Sequence, residues 1–141
     1  MPDVGPVCRG GGDRLDVRER RSAVLFLFLI CHDDTFDAPE SMGPDSLAWV
    51  REVGRRGARL AGGRVEPPRR AMVVRVRDGE RVVSPGPRTS EREYVAGFDV
   101  LEFGTEEEAI EAAALHPMAA LGTIEVRPIR PDDDPVDPAG G

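Results

Sequence analysis

The order of strand and helix patterns along the chain predicts an α+β fold. We expect a ferredoxin-like sandwich, with an antiparallel sheet that carries two helices on one face. The first observation behind this is the continuous apolar run from Ala23 to Cys31, which has the length and composition of a buried central strand. The second is the order of the patterns that follow: helix, strands, strand, helix, strand.

The first helix is predicted to begin around Pro44 to Ser46 and to end at Gly57, with apolar residues at helical spacing between them. A short strand pattern runs from Leu60 to Val65 and includes a pair of glycines. Because two consecutive prolines follow it, this strand is predicted to end there.

The next two patterns predict a hairpin. Apolar residues alternate with others from Met72 to Arg77, as they do in a strand. Asp78-Gly79 is a strong signal for a tight turn, and the apolar pair in the segment 81–83 then supplies the returning strand.

A further strand pattern covers Tyr94 to Phe103. Thr105 and Glu108 have the spacing of a capping box, in which the hydroxyl meets a first-turn amide and the carboxylate reaches back. The second helix is predicted to stop before Pro117. Residues 122–129 are predicted to form the last strand.

Composition bounds the class of protein. The 141 residues are 40% hydrophobic with a formal net charge of -7, which suits one folded domain and argues against a nucleic-acid partner. All 19 basic residues are Arg, and Lys, Asn and Gln are absent, a bias typical of a GC-rich bacterial genome. The absence of Lys excludes a Schiff base and a P-loop.

The polar, Gly- and Arg-rich residues 1–21 are predicted to be a flexible extension, 22–130 the folded domain, and 131–141 a flexible acidic tail. Cys8 and Cys31 form no disulfide framework or metal motif, so reduced thiols in the cytoplasm are expected. The apolar run after Arg20-Arg21 resembles an export signal, but it is too short to span a bilayer and no cleavage pattern follows. We therefore predict no membrane association.

The first strand also predicts a homodimer. Two helices cover only one face of a sheet, yet Leu25, Leu27 and Leu29 are as apolar as the residues that alternate with them. A second copy, packed sheet to sheet, would remove this other face from water.

The chain resembles the YCII-related (DGPF-type) domain of the dimeric α+β barrel superfamily. The likeness lies in the first strand, in Ala61-Gly62-Gly63 before the two prolines, in the segment 73–79, and in Gly97-Phe98. Its most specific part is His116-Pro117 followed by the segment 122–128.

This resemblance implies a ferredoxin-like dimer whose two sheets form a barrel. In some relatives a His/Asp pair in the cleft is proposed to be catalytic, and others resemble partners of sigma factors. The family's Asp-Gly-Pro-Phe is replaced here by Pro85-Gly86-Pro87-Arg88, so the acid/base role of that Asp cannot be transferred.

His116 is the candidate catalytic residue, as a general acid/base in a cleft. It lies at the predicted C-terminus of a helix, where the dipole favours its charged form. The alternative is a residue that serves only to end the helix.

Five charged residues in mid-strand are candidates for ligand binding. If the strand faces that carry these residues converge, the side chains would form a cavity for a small anion. Otherwise they form ion pairs between strands at the solvent-exposed edge of the fold. The candidates are Arg75, Arg77, Asp99, Glu125 and Arg127, together with the loop residues Gly86 and Pro87. His32, Asp33 and Asp34 lack convergent spacing for a metal and are read as a solvated loop, so no metal or cofactor is predicted.

Two functions follow from these patterns. One is a non-catalytic dimer that binds a small anionic metabolite, or a sigma-factor-related protein in a regulatory role. The alternative is a cofactor-free enzyme in which His116 moves a proton on an anionic or carbonyl metabolite while Arg75 and Arg127 orient it.

Overall fold

The computed structural model describes residues 23–56 and 58–131. The predicted extension 1–21, almost all of the predicted tail 131–141, Cys8 and the predicted helix stop at Gly57 lie outside the described residues. The strands are β1 (Val24–His32), β2 (Arg59–Arg64), β3 (Met72–Arg77), β4 (Glu80–Pro85), β5 (Tyr94–Phe103) and β6 (Thr123–Pro128). The α-helices are α1 (Met42–Arg55), α2 (Glu106–Ala114) and α3 (Pro117–Leu121), and a 3-10 turn spans Pro68–Arg70.

The main sheet confirms the predicted ferredoxin-like fold. It has four strands in the order β2-β5-β1-β6, and every neighbouring pair is antiparallel. The strand β1 is central, as its unbroken apolar run predicts. The hairpin of β3 and β4 forms a separate two-stranded sheet, inserted between the second and third strands of the main sheet.

The core lies between the helices and one face of the main sheet. Phe26 and Phe28 of β1 point into it with Leu101 of β5, and all three are almost completely buried. Trp49 from α1 packs against them, as does an alanine stripe of α2. Alanine lets α2 approach the sheet closely, so the helix layer seals this face of the sheet.

The opposite face of β1 is less covered. Leu25, Leu27 and Leu29 each remain partly exposed, so the expected burial on both faces is not reached within the described part of the chain. Strand register places Val100 of β5 beside Leu27 and Phe98 beside Leu29. We call this partly exposed apolar surface, formed by Leu25, Leu27, Leu29, Phe98 and Val100, the open face.

Local signals set two of the connections. Asp78 and Gly79 both have positive φ, 53° and 80°, as a type I′ hairpin turn requires. At the start of α2, the Thr105 hydroxyl accepts a hydrogen bond from the Glu108 amide at 3.1 Å. The Glu108 carboxylate returns to the amide of Gly104, one residue earlier than the capping-box pattern predicts.

The hairpin carries apolar side chains that are open to solvent. Met72 is 74% exposed and Val74 and Val76 are each 62% exposed, on the same face of β3. None of the described helices is long and apolar enough to cross a membrane.

Candidate functional site

A cleft of about 1050 Å³ opens between α1 and the sheet. We call it the α1 cleft. Its inner wall includes Trp49, Val50, Arg59, Asp99, His116 and Met118. Three of these are polar groups that come from β2, β5 and the start of α3, so the fold brings together side chains that are far apart in sequence.

The polar centre of the cleft is an ion pair between Arg59 and Asp99. Arg59 Nε donates to Asp99 Oδ1 at 2.8 Å, and the Asp99 side chain is only 6% exposed. Asp99 lies on the core side of β5 because it alternates with the buried Leu101. Burial raises the pKa of the Asp99 carboxyl, and the hydrogen bond from Arg59 opposes this shift.

A β-bulge puts Arg59 on the same side of the sheet. Arg59 pairs with Leu101 and Ala61 with Val100, so two steps along β2 match one step along β5. Without this irregularity, side-chain alternation would place Arg59 and Gly62 on opposite faces. With it, the Arg59 side chain crosses over Gly62 to reach Asp99.

His116 forms the other polar group of the inner wall. It is 8% exposed, and its ring lies 4.6 Å from that of Trp49 between centroids. Trp49 is itself fixed by a hydrogen bond of 2.8 Å from Nε1 to the Ala112 carbonyl. The ring position of His116 therefore depends on contacts with α1 as well as on its own backbone.

The expectation that a helix dipole keeps His116 charged is wrong. His116 follows α2 but is the N-cap of α3, and its Nδ1 accepts a hydrogen bond of 3.0 Å from the Met118 amide. A nitrogen that accepts this bond carries no proton, so the neutral ring holds its proton on Nε2. Burial, with a further contribution from the charge of Arg59, lowers the pKa of His116 to about 4.

Each of the three polar groups has an atom free to bind a ligand. Among the described residues, no hydrogen bond reaches His116 Nε2, Asp99 Oδ2 or the two Nη atoms of Arg59. No side-chain nitrogen or oxygen of the described residues is both fully buried and without a partner. These atoms are therefore reachable from the cleft, which offers donors and one acceptor at its inner wall.

The rim of the cleft is aromatic. The His32 ring stacks on Phe36 with centroids 4.4 Å apart and meets Tyr94 edge-on at 5.3 Å. Tyr94 donates a hydrogen bond of 2.8 Å to Asp34, while Asp33 accepts from Thr35. His32 is thus packed into the rim, whereas Asp34 is exposed to solvent, as the sequence predicts for this loop.

The hairpin candidates do not line the α1 cleft. Arg75 and Arg77 are exposed on β3, and the Arg77 guanidinium donates a hydrogen bond to the neighbouring Val76 carbonyl. Gly86 and Pro87 follow β4 at the base of the hairpin, where Gly86 has a φ of 90° and donates its amide to the Ala71 carbonyl. Within one chain, these residues shape the hairpin.

Glu125 and Arg127 also lie away from the cleft. They form an ion pair with each other at 3.7 Å, along one strand rather than across two. Both are more than half exposed and lie beside Leu29 and Leu27 in the strand register. Of the predicted site residues, only Asp99 and His116 line the α1 cleft.

Sequence reasoning missed Arg59 and Trp49 as site residues. Arg59 is one of 19 arginines in the chain, and nothing local distinguishes it from the rest. Trp49 could have been singled out as the chain's one tryptophan, since aromatic residues often line ligand clefts. Across the described residues, no group of three or more His, Cys, Asp and Glu side chains could hold a metal ion.

The YCII-related domain family model matches residues 24–132. Because this match covers most of the chain, the protein belongs to the YCII-related family. No curated protein matches the sequence.

The ion pair predicts different effects for two adjacent glycines. A Cβ at Gly62 would overlap with Asp99 Oδ1 and Arg59 Nη2, and would lie 2.9 Å from the Phe98 carbonyl oxygen. A Cβ at Gly63 would meet nothing within 4 Å. We expect Gly62→Ala to lower the free energy of unfolding by about 1–3 kcal/mol, and Gly63→Ala to change it by less than about 0.5 kcal/mol. Urea unfolding measures both, and equal stability of the two variants would contradict the assigned packing.

The depressed pKa of His116 predicts a loss of stability in acid. The unfolded chain takes up this proton near pH 6.5 and the folded chain only near pH 4, so stability falls as the pH drops through this window. The loss between pH 7 and 4.5 should be roughly 2–3 kcal/mol at 1.36 kcal/mol per pKa unit. His116→Asn, which keeps an N-cap acceptor, should lack this component.

Urea unfolding of both proteins at the two pH values makes the comparison. Asp99 has a raised pKa and acts in the opposite direction, but it is present in both proteins and cancels in the difference. Parallel pH profiles for the wild type and His116→Asn would contradict the buried neutral histidine.

Proposed function

We propose that this protein is a homodimeric, non-catalytic module that binds a small molecule in the α1 cleft. The observation that carries the proposal is a group of three polar side chains whose remaining hydrogen-bonding atoms face one cleft: the buried Asp99 and His116 and the partly buried Arg59. Buried polar atoms that are placed to converge, among apolar walls, are typical of ligand sites.

The protonation state of His116 favours binding over catalysis. With a pKa of about 4, the ring is almost entirely neutral at pH 7, so it is a poor general acid. Its Nδ1 lone pair is already used by the Met118 amide. The free Nε2–H is then a hydrogen-bond donor to a ligand.

The enzyme alternative has one observation in its favour, since His116 and Asp99 line the same cleft. A cofactor-free reaction on a small anionic or carbonyl compound would use Nε2–H to polarise an oxygen and Asp99 Oδ2 to accept a proton. The family's Asp is replaced by Pro85 at the end of β4, which removes the carboxylate that relatives present there. Turnover of a bound compound that Asp99→Asn abolishes would favour this alternative.

The open face supports the proposed dimer. Its leucines and Phe98 are partly exposed on a central part of the sheet, and a second copy would bury them. Phe98 also borders the α1 cleft, but the other four residues of the open face do not line it. Binding and dimerisation would therefore use largely separate surfaces. In an accessory or regulatory role, the dimer would be the species that binds a sigma-factor-related partner.

A charge on the open face should separate the dimer. Leu27→Arg places a cation opposite Val100 and beside Arg127, so we expect a species of 15.3 kDa in place of one of twice that mass. Ile110→Arg on α2 is the matched control, because Ile110 is already 48% exposed on the helix layer. Light scattering measures the mass, and circular dichroism checks folding. A wild type that is monomeric at micromolar concentration would contradict the proposal.

Ligand binding should stabilise the protein. A compound at 100 times its Kd adds about 2.7 kcal/mol, or several degrees in melting temperature. We expect a hit in a panel of small metabolites, with the shift lost in His116→Ala and retained in His32→Ala at the rim. Trp49 gives a second readout, since it is the only tryptophan and its ring contacts His116. A panel without a single hit on a well-folded dimer would contradict small-molecule binding and favour a protein partner.

A further inference from the structure

The charges that line the α1 cleft cancel. Arg59 and Asp99 form the inner pair, and Arg64 and Glu66 lie nearer the mouth. His116 adds no charge at neutral pH because its pKa is about 4. A ligand that carries a net charge would therefore lose its hydration in the cleft without meeting a compensating charge, and this would weaken its binding. A net-neutral ligand avoids this cost.

The hydrogen-bonding atoms that remain free at the inner wall place donors directly beside an acceptor. Arg59 offers its Nη donors directly beside Asp99, whose Oδ2 is an acceptor, and the two side chains are joined at 2.8 Å. His116 Nε2–H is a further donor on the same wall. A cation and an anion side by side are matched by a ligand that carries an anion and a cation on neighbouring atoms.

The remaining inner walls are apolar. Met42, Trp49, Val50 and Met118 contribute aliphatic and aromatic surface next to the ion pair, and Phe36 continues it toward the mouth. The site therefore suits a molecule with a compact polar end and an apolar remainder.

We propose that the α1 cleft binds a zwitterionic α-amino acid with an apolar side chain. The ligand carboxylate accepts hydrogen bonds from Arg59 Nη and His116 Nε2–H, and its ammonium group donates to Asp99 Oδ2. The apolar side chain packs among Trp49 and the methionines. This inference rests on the proposed binding function and replaces the small anion, which the sequence favours, with a net-neutral ligand.

The physical reason for excluding a simple anion is the neighbour of Arg59. A carboxylate bound at the Nη atoms would lie close to the buried Asp99 carboxylate, and like charges in a buried site repel strongly. An α-amino acid removes this repulsion because its ammonium group lies between the two carboxylates.

Three matched probes test the inference on the full-length wild-type protein. L-phenylalanine carries both charges, 3-phenylpropanoate only the anion and 2-phenylethylamine only the cation. Calorimetry and Trp49 fluorescence measure each Kd. We expect L-phenylalanine to bind at least tenfold more tightly than either of the other two.

The variant Asp99→Asn removes the acceptor charge but keeps the shape of the side chain. It should abolish the preference for L-phenylalanine and strengthen the binding of 3-phenylpropanoate. Because this variant leaves Arg59 unpaired and could fail to fold, the comparison of the three probes on the wild type is decisive by itself.

The outcomes separate this inference from the proposed function. If 3-phenylpropanoate binds as tightly as L-phenylalanine, the zwitterion is overturned while small-molecule binding stands. If none of the probes binds but a panel compound that is not an α-amino acid stabilises the wild type through His116, the amino-acid class is likewise overturned. If no compound of any kind binds, both proposals fail.

Discussion

The buried ion pair between Arg59 and Asp99 is the interaction on which the cleft depends. An unpaired carboxylate in the position of Asp99 would lose several kcal/mol of hydration free energy, and no interaction in the protein would compensate for this loss. Its partner reaches it only because a bulge in β2 turns Arg59 to the helix side and because Gly62 has no side chain in the way. The bulge, the glycine and the pair therefore form one unit, and removing any of them disturbs the other two.

A neutral histidine beside this pair determines what the site does. Burial and the neighbouring guanidinium both disfavour the imidazolium, and the Met118 amide fixes which nitrogen holds the proton. The result is a hydrogen-bond donor of fixed direction, placed against the single tryptophan of the chain. Such a group suits recognition of a ligand oxygen. It is poorly suited to proton transfer at neutral pH, because its pKa lies about three units below that pH.

Most of the fold was predictable from sequence because local patterns carry it. The bounds of β3 and β5 agree with the prediction, and the alternation and the Asp78-Gly79 turn account for the hairpin. The site was predictable only in part. Asp99 stands out as a charge in mid-strand, but its partner lies 40 residues away and depends on a bulge that no local signal marks. The state of His116 was mispredicted because its burial and the charge of Arg59, neither of which the local sequence shows, outweigh the dipole of the preceding helix.

Nitrogen-15 NMR of the histidine side chains reports both the protonation state and the tautomer of His116. The chain has two histidines, so the spectrum is simple, and His32 at the rim serves as an internal reference. We expect His116 to be in the neutral Nε2–H form at pH 7 and to take up a proton only near pH 4. Addition of a ligand that binds in the α1 cleft should then shift the Nε2 resonance of His116. A proton on Nδ1, or protonation near pH 6.5, would contradict the assigned site.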